Sequence, residues 1–369
     1  MKKNSRNESR KKNQTSKQPE ERLTVGIDLG DKTSQYSVQD IGGEEIEAGK
    51  VCTSKEGLTK HFAGLSRRRF IIEAGAQSTW VRAHLEAMGH EVIVANPRQV
   101  PGITRSTQKS DPKDAHKLAM YGRVDVRIVH PIQPRSLETQ QDRATLRARE
   151  GLVRVRTKLI NMVRGLSKAM GERLPKCGAE QFAGRVREVL VAGLRPSLIP
   201  VLDTIEELNR QIEVVDERIE QLGREKYPET ARLQQVWGVG RRTALCFVLS
   251  LEDPHRLDKS RAAGVVVGLG PKKSQSGESD PQLGISKTGD RQLRWLLVEC
   301  AQRVVSKRAP DSDLKRWGLK LCERGGKNAK KRAMVAVARK LAVLLHKLWR
   351  SGETYDPLYN SKRQTALAA

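Results

Sequence analysis

Two stretches, Leu23-Thr24-Val25-Gly26-Ile27-Asp28-Leu29-Gly30 and Arg69-Phe70-Ile71-Ile72-Glu73-Ala74-Gly75, each carry a short apolar run into an acid that is followed within two residues by glycine. Runs of this length closed by glycine read as buried strands. A carboxylate at the end of a buried strand is costly unless it meets a cation or solvent. If the two strands are neighbours in one sheet, Asp28 and Glu73 lie side by side. Shorter strands at Gln35 to Gln39 and Ile46 to Val51, separated by Asp/Gly turns, complete an antiparallel meander with the first. Glu73 is followed by a helical stretch from Ser78 to Met88 and a strand from Glu91 to Ala95, which Asn96-Pro97 ends. Three strands, then β-α-β, then a helix define an α/β first domain over residues 22–135.

The helix after that last strand opens at Lys109-Ser110-Asp111-Pro112-Lys113-Asp114, with Pro112 suited to a first turn and Ser110 or Asp111 to a cap. Asp111 and Asp114 are three apart and share a helix face. Four acids, Asp28, Glu73, Asp111 and Asp114, thus become candidate ligands for Mg²⁺ or Mn²⁺. Phosphodiester chemistry with two cations about 3.5–4 Å apart needs roughly that many shared carboxylates. The plain alternative is that each acid caps or ends its own element.

These acids stand in a chain of 369 residues with 69 Lys+Arg against 43 Asp+Glu, a formal charge of +26 spread along its length. Such an excess points to a polyanionic partner. Aromatic residues make up only 4%, so backbone and charge contacts should outweigh base stacking. Five scattered cysteines (Cys52, Cys177, Cys246, Cys300, Cys322) include no C-x-x-C pair, which argues against a zinc site or a disulfide framework and fits a reducing cytoplasm. No apolar run reaches membrane-spanning length and no hydrophobic signal core opens the chain, so a soluble cytoplasmic protein without a membrane partner is expected.

Residues 1–21 are basic and lack large apolar side chains, the composition of a disordered arm. From 136 to 226 apolar residues recur at helical spacing through Leu146, Leu152, Val155, Leu159, Val163 and Leu166, and again through Ile205, Leu208, Ile212, Val215, Ile219 and Leu222. This reads as a long helical hairpin or coiled coil, antiparallel or intermolecular, with an ordinary bundle as the alternative. A third, mainly helical domain covers 227–369, ending in a helix from Lys330 to Arg350 with an apolar face.

In that third domain Gly238 and Gly240 separate two apolar helical segments, with Arg241 and Arg242 opening the second. Glycine there lets backbone amides approach a phosphate, as in a helix-hairpin-helix motif, and a plain interhelical turn is the alternative. Further on, Gly268 to Arg294 combines glycines, hydroxyls and the bases Lys272, Lys273, Lys287, Arg291 and Arg294 in a loop and helix start suited to a phosphate.

The strand-end Asp28, the strand-end Glu73 and the Asp111-Pro112-Lys113-Asp114 segment resemble the DEDD nuclease domain of the insertion-sequence 110 family of bacterial transposases. The likeness continues through the C-terminal third. It implies a ribonuclease-H-like, resolvase-like fold for the first domain and metal binding by the four acids. In the family's second domain a serine in a Ser-Gly context is the nucleophile, and the match falls on Ser276, before Gly277, with Ser274 and Ser279 as neighbouring alternatives. No histidine lies near Ser276 in sequence, so activation by the metal-carboxylate cluster gives a composite active site. The likeness further implies DNA as donor and target, a guide RNA, and a homodimer assembling to a tetramer. Competing readings are a Holliday-junction-type nuclease using water, a non-enzymatic nucleic-acid-binding protein, and an ATPase of the heat-shock-70 and sugar-kinase fold, which shares the Gly26-Ile27-Asp28-Leu29-Gly30 strand but needs a second phosphate loop that no later strand supplies.

Overall fold

A computed structural model describes residues 23–100, 111–281, 283–326 and 328–368. The basic arm and Lys109-Ser110 lie outside the described residues. Contacts divide the chain at Leu137 into two compact units.

The first unit holds β1 (Thr24–Asp28), β2 (Thr33–Gln39), β3 (Glu45–Cys52), α1 (Lys55–Phe62), β4 (Arg69–Glu73), α2 (Ser78–Ala87), β5 (Glu91–Ala95) and α3 (Asp111–Val124). The sheet order is β3-β2-β1-β4-β5. The β1, β2 and β3 strands form the expected antiparallel meander, and β4 and β5 extend it in parallel. Helix α1 was not anticipated from the sequence. Its signal is Ser54, whose hydroxyl accepts from Gly57 N, with Glu56 in the first turn where the helix dipole favours an acid.

The apolar runs alternate between two helical layers. Val25, Ile27, Phe70 and Ile72 pack with Leu58 and Phe62 of α1 and Val81 and Leu85 of α2. Ile71 instead packs with Leu118 of α3 and with Ala95 and Val129. Side chains alternate along a strand, so Gly26 and Asp28 share the α3 face with Ile71 and Glu73. Helix α3 lies directly on the backbone there. A Cβ on Gly26 would stand 2.1 Å from Ala115 O, and one on Gly122 would stand 2.2 Å from Ile71 Cγ1.

The second unit opens with the long helix α4 (Leu137–Ala169), whose first residue lies at the division, followed by α5 (Phe182–Val189) and α6 (Arg195–Glu225). Then come α7 (Glu229–Leu233), α8 (Arg241–Leu251), α9 (Ala263–Val266), α10 (Arg291–Val304), α11 (Asp313–Cys322), α12 (Ala329–Ser351) and α13 (Tyr359–Ala368). Helices α4 and α6 run antiparallel. Asp142 accepts from Lys226 and Tyr227, Arg149 pairs with Asp216 at 2.6 Å, and Arg156 donates to Asn209 at 2.7 Å. The apolar repeat of α4 does not form one buried face: Leu146 and Val163 are buried, whereas Val155 and Leu166 are 48% and 44% exposed. Three rungs at seven-residue intervals on α4 are polar or charged, and so escape an apolar count. Leu146, Ile219 and Leu222 pack in one core with α8, α10 and α12, so the base of this hairpin is built into the C-terminal core. Val337, Leu341, Leu345 and Leu348 of α12 supply the face predicted from the sequence.

Candidate active site

The register brings the two strand-end acids together. Ile27 pairs with Ile72 across the parallel β1–β4 ladder, which sets Asp28 beside Glu73 at the C-terminal edge of both strands. Open α/β sheets bind ligands at this edge. Helix α3 adds its own acids because it runs against β1. Its last turn sits at the opposite edge, where Arg69 Nη1 donates to Gly122 O at 3.2 Å, so Asp111 and Asp114 at its first turn point toward the strand ends.

The four acids therefore share one sheet edge and one face. They are not closed around a common point: among the described residues no three His, Cys, Asp or Glu side chains stand close enough to hold an ion. Asp111 is exposed and Asp114 is buried. Asp114 Oδ1 is buried without a hydrogen-bond partner among the described residues, its nearest cation being Lys117 Nζ at 3.9 Å, beyond hydrogen-bond reach. An orphaned carboxylate oxygen at the first turn of a helix is a hard donor of the kind that a divalent cation takes.

Outside this cluster, His116 of α3 receives or donates at 2.8 Å to Glu45, which also accepts from Ser37 at 2.6 Å. The Ser37 hydroxyl first, and His116 second, hold the Glu45 carboxyl below its usual range. This polar set braces α3 against the meander, a role that spacing in sequence does not signal because its members are 71 residues apart.

In the second unit Ser276 lies at the tip of a narrow antiparallel loop between α9 and α10. Lys287 N donates to Gly268 O (3.1 Å), Ser286 N to Gly270 O (2.8 Å) and Lys272 N to Gly284 O (2.8 Å). At the tip Ser276 and Ser279 exchange backbone hydrogen bonds of 3.1 and 3.0 Å around Gly277, whose φ is +55°. Positive φ at the first of two turn residues only is the pattern of a type II′ hairpin turn, which favours glycine there. Ser276 is exposed, and its hydroxyl has no side-chain partner among the described residues. Ser274 and Ser279 are exposed on the same loop, with Ser274 short of the turn.

The base of the loop is close-fitting. A Cβ on Gly268 (φ +74°) would stand 1.9 Å from Thr288 O, and one on Gly289 (φ +78°) 1.9 Å from Val266 O. The Arg294 guanidinium donates to Val267 O and Thr288 O, both at 3.1 Å. Arg294 thus spans the two strands of the loop base, whereas Lys272, Lys273, Lys287 and Arg291 are exposed. Asp290 caps α10 by accepting from Leu293 N at 2.9 Å, and it receives the buried Arg143 of α4. Asp311 is engaged by Arg316, and Asp313 accepts from Asn360 N at 2.7 Å. Between α7 and α8, Gly238 has φ +87° and Gly240 is the extended residue before α8, with no side-chain cap. Arg241 is paired with Glu220 of α6, and Arg242 is half-buried.

Comparison with known proteins gives the class. Residues 25–169 match a family of DEDD transposases described as "Transposase", and residues 230–316 match the "Transposase IS116/IS110/IS902 family". The chain is 33% identical over 340 residues to the transposase for insertion sequence element IS1111A of Coxiella burnetii (strain RSA 493 / Nine Mile phase I), covering 90% of each protein. It is 30% identical to a probable family 20 transposase of Pseudomonas aeruginosa, over 90% of this chain and 98% of the relative. With the transposase for insertion sequence element IS1328 of Yersinia enterocolitica it shares 29% over 75% of this chain and 82% of the relative. The chain belongs to the insertion-sequence 110 family of transposases. It is a DNA-acting enzyme by family. Among the described residues no helix is long and apolar enough to cross a membrane.

Proposed function

We propose that this transposase cuts and rejoins DNA through a covalent bond between Ser276 and the DNA, with Mg²⁺ or Mn²⁺ held by Asp28, Glu73, Asp111 and Asp114. The observation that carries the reading is the presentation of Ser276: an exposed hydroxyl at the tip of a two-residue turn, on a loop clasped at its base by two glycines and Arg294. In the reaction Ser276 Oγ bonds to phosphorus as one bridging P–O bond of the strand breaks, releasing a strand end with a free hydroxyl. Attack by another hydroxyl on the serine-linked phosphate reverses the step and rejoins DNA without an outside energy source. The serine proton must leave, and no base partners Ser276 within its own unit among the described residues. Asp28, Glu73, Asp111 and Asp114 would hold a divalent cation, whose chemistry would be to neutralise phosphate charge and lower the pKa of a bound hydroxyl.

In this reading the first unit is the ribonuclease-H-like nuclease domain, and the 136–226 helices serve self-association as a homodimer that assembles to a tetramer. Lys272, Lys273, Lys287, Arg291 and the Gly238–Arg242 turn contact the phosphate backbone. Donor and target DNA and an element-encoded guide RNA are the partners, consistent with the +26 charge. The test is recovery of a protein-DNA adduct from cleavage reactions. An adduct formed by the wild type and by Ser274→Ala and Ser279→Ala, and lost in Ser276→Ala, is expected. Cleavage without any adduct would instead favour water as the nucleophile.

A further inference from the structure

The loop that carries Ser276 has two roots, Gly268 after α9 and Thr288-Gly289 before α10, and the second is held by a side chain from outside the loop. Asp290 follows Gly289 directly, and its carboxylate meets Arg143 in the second turn of α4. Arg143 Nη2 donates to Asp290 Oδ2, while Nη1 donates to Ser250 Oγ at 2.9 Å and to Leu249 O at 3.5 Å. Ser250 Oγ in turn donates to the same Asp290 oxygen at 3.3 Å. The other oxygen, Oδ1, accepts from Leu293 N at 2.9 Å and so starts α10. One guanidinium therefore closes together the start of α4, the end of α8 and the start of α10.

Stability alone gives a poor account of this pair. The two side chains are only 8% and 9% exposed, and at such burial the loss of hydration cancels much of the attraction, so that an apolar pair of similar volume is often as stable. What a guanidinium fork supplies and an apolar pair does not is a fixed direction. The same root is tied to α4 a second time, by Gln292 Nε2 donating to Leu146 O at 3.1 Å. Helix α4 is itself fixed at this level by Asp142, the residue before Arg143, which accepts from Lys226 and Tyr227.

We infer that Arg143 is a positioning residue for the Ser276 hydroxyl, setting from α4 the place and direction in which the loop leaves α10. Little between them can absorb a shift. Gly289 has φ +78° and lies against Val266 O, and Arg294, one turn beyond Asp290, carries the brace to Val267 O and Thr288 O. Movement of the first turn of α10 thus passes into both sides of the loop base. The effect on chemistry rests on the reading of Ser276 as the nucleophile, whereas the hold on the loop base does not.

The test uses the full-length protein and compares Asp290→Asn, the double variant Arg143→Met/Asp290→Asn, and Arg143→Lys. Asp290→Asn still caps α10 but leaves a buried guanidinium unpaired, so it should melt below the wild type. The double variant has no unpaired buried charge, and its Tm should return toward that of the wild type. Its Ser286 and Lys287 amides should nonetheless exchange faster than those of the wild type. Its rate of Ser276 adduct formation at saturating DNA should stay down by roughly tenfold or more, with DNA affinity within about twofold. Arg143→Lys keeps the charge without the fork, so it should fold and show both effects in weaker form. If the double variant does not fold, Arg143→Lys decides on the same two readouts. Adduct rate and loop exchange that recover together with the Tm, or that are those of the wild type in Arg143→Lys, would overturn the inference. Cleavage by the wild type without a serine adduct would remove the nucleophile reading instead, and faster loop exchange in the double variant would still support the hold of Arg143 on the loop.

Discussion

Replacing Arg294 separates a loop brace from a nucleic-acid contact. The sequence marks Arg294 as one more base in a phosphate-binding stretch, but its guanidinium joins Val267 O and Thr288 O at 3.1 Å, one on each side of the loop that carries Ser276. Removing a charged donor from two carbonyls costs about 1 kcal/mol per bond at this half-exposed position, hence roughly 2 kcal/mol for closing the loop base. That is about a thirtyfold rise in opening, since about 1.4 kcal/mol is a factor of ten. In Arg294→Ala, hydrogen exchange at the amides of Lys272, Ser286 and Lys287 should speed up by about that factor, and strand exchange should fall in turnover more than in DNA affinity. Arg294→Lys keeps the charge but cannot span both carbonyls, so it should resemble Arg294→Ala. Unchanged amide exchange in Arg294→Ala together with weakened DNA binding, rescued by Arg294→Lys, would refute the brace.

Further outcomes follow from other contacts. Gly26→Val should leave the first unit unfolded, because even a Cβ there meets Ala115 O at 2.1 Å and Ala119 N at 2.4 Å; circular dichroism and proteolysis would detect it. Asp28→Asn and Glu73→Gln should fold and bind DNA yet lose cleavage by at least a hundredfold, and full recombination activity in both would remove the acids from the reaction. Asp114→Asn should be stability-neutral without divalent cation but should lose the Mg²⁺-dependent rise in Tm expected of the wild type. Burial holds His346 below its usual pKa in the second unit, as it does His90 in the first. The unfolded chain therefore takes up protons first, and stability present above about pH 6.5 is lost as pH falls below it. A His346→Gln variant should show a flatter melting temperature between pH 7 and 5.5, whereas an unchanged slope would reject that histidine as the source.

What could be read without coordinates was local. Apolar runs ended by acids marked β1 and β4, turn chemistry marked the meander, and helical periodicity marked α6 and α12, because these signals come from residues near each other in the chain. Spacing left an antiparallel hairpin, an intermolecular one and an ordinary bundle open; α4 and α6 pair antiparallel, with rungs at Asp142, Arg149 and Arg156 that are polar and outside the apolar count. Helix α1 is hardly legible in the sequence, since its eight residues carry only a serine cap and one early acid as signals.

Tertiary structure decided the rest. The sequence determined that four acids, a Ser-Gly pair in a basic, glycine-rich loop and an excess of positive charge belong to one chain, and the family likeness they carry agrees with the relatives found. It could not determine that Asp28 and Glu73 share a face with α3, because that depends on the parallel register of β1 with β4 and on Gly26 and Gly122 letting the helix rest on the sheet. Nor could it divide the basic residues by role. Arg294 braces a loop, Arg241 answers Glu220, and Arg242 and Arg303 face a cavity, although all four are the same residue type in the same basic third of the chain. Charge is a property of composition, but the partner that each charge meets is fixed by which helices pack together.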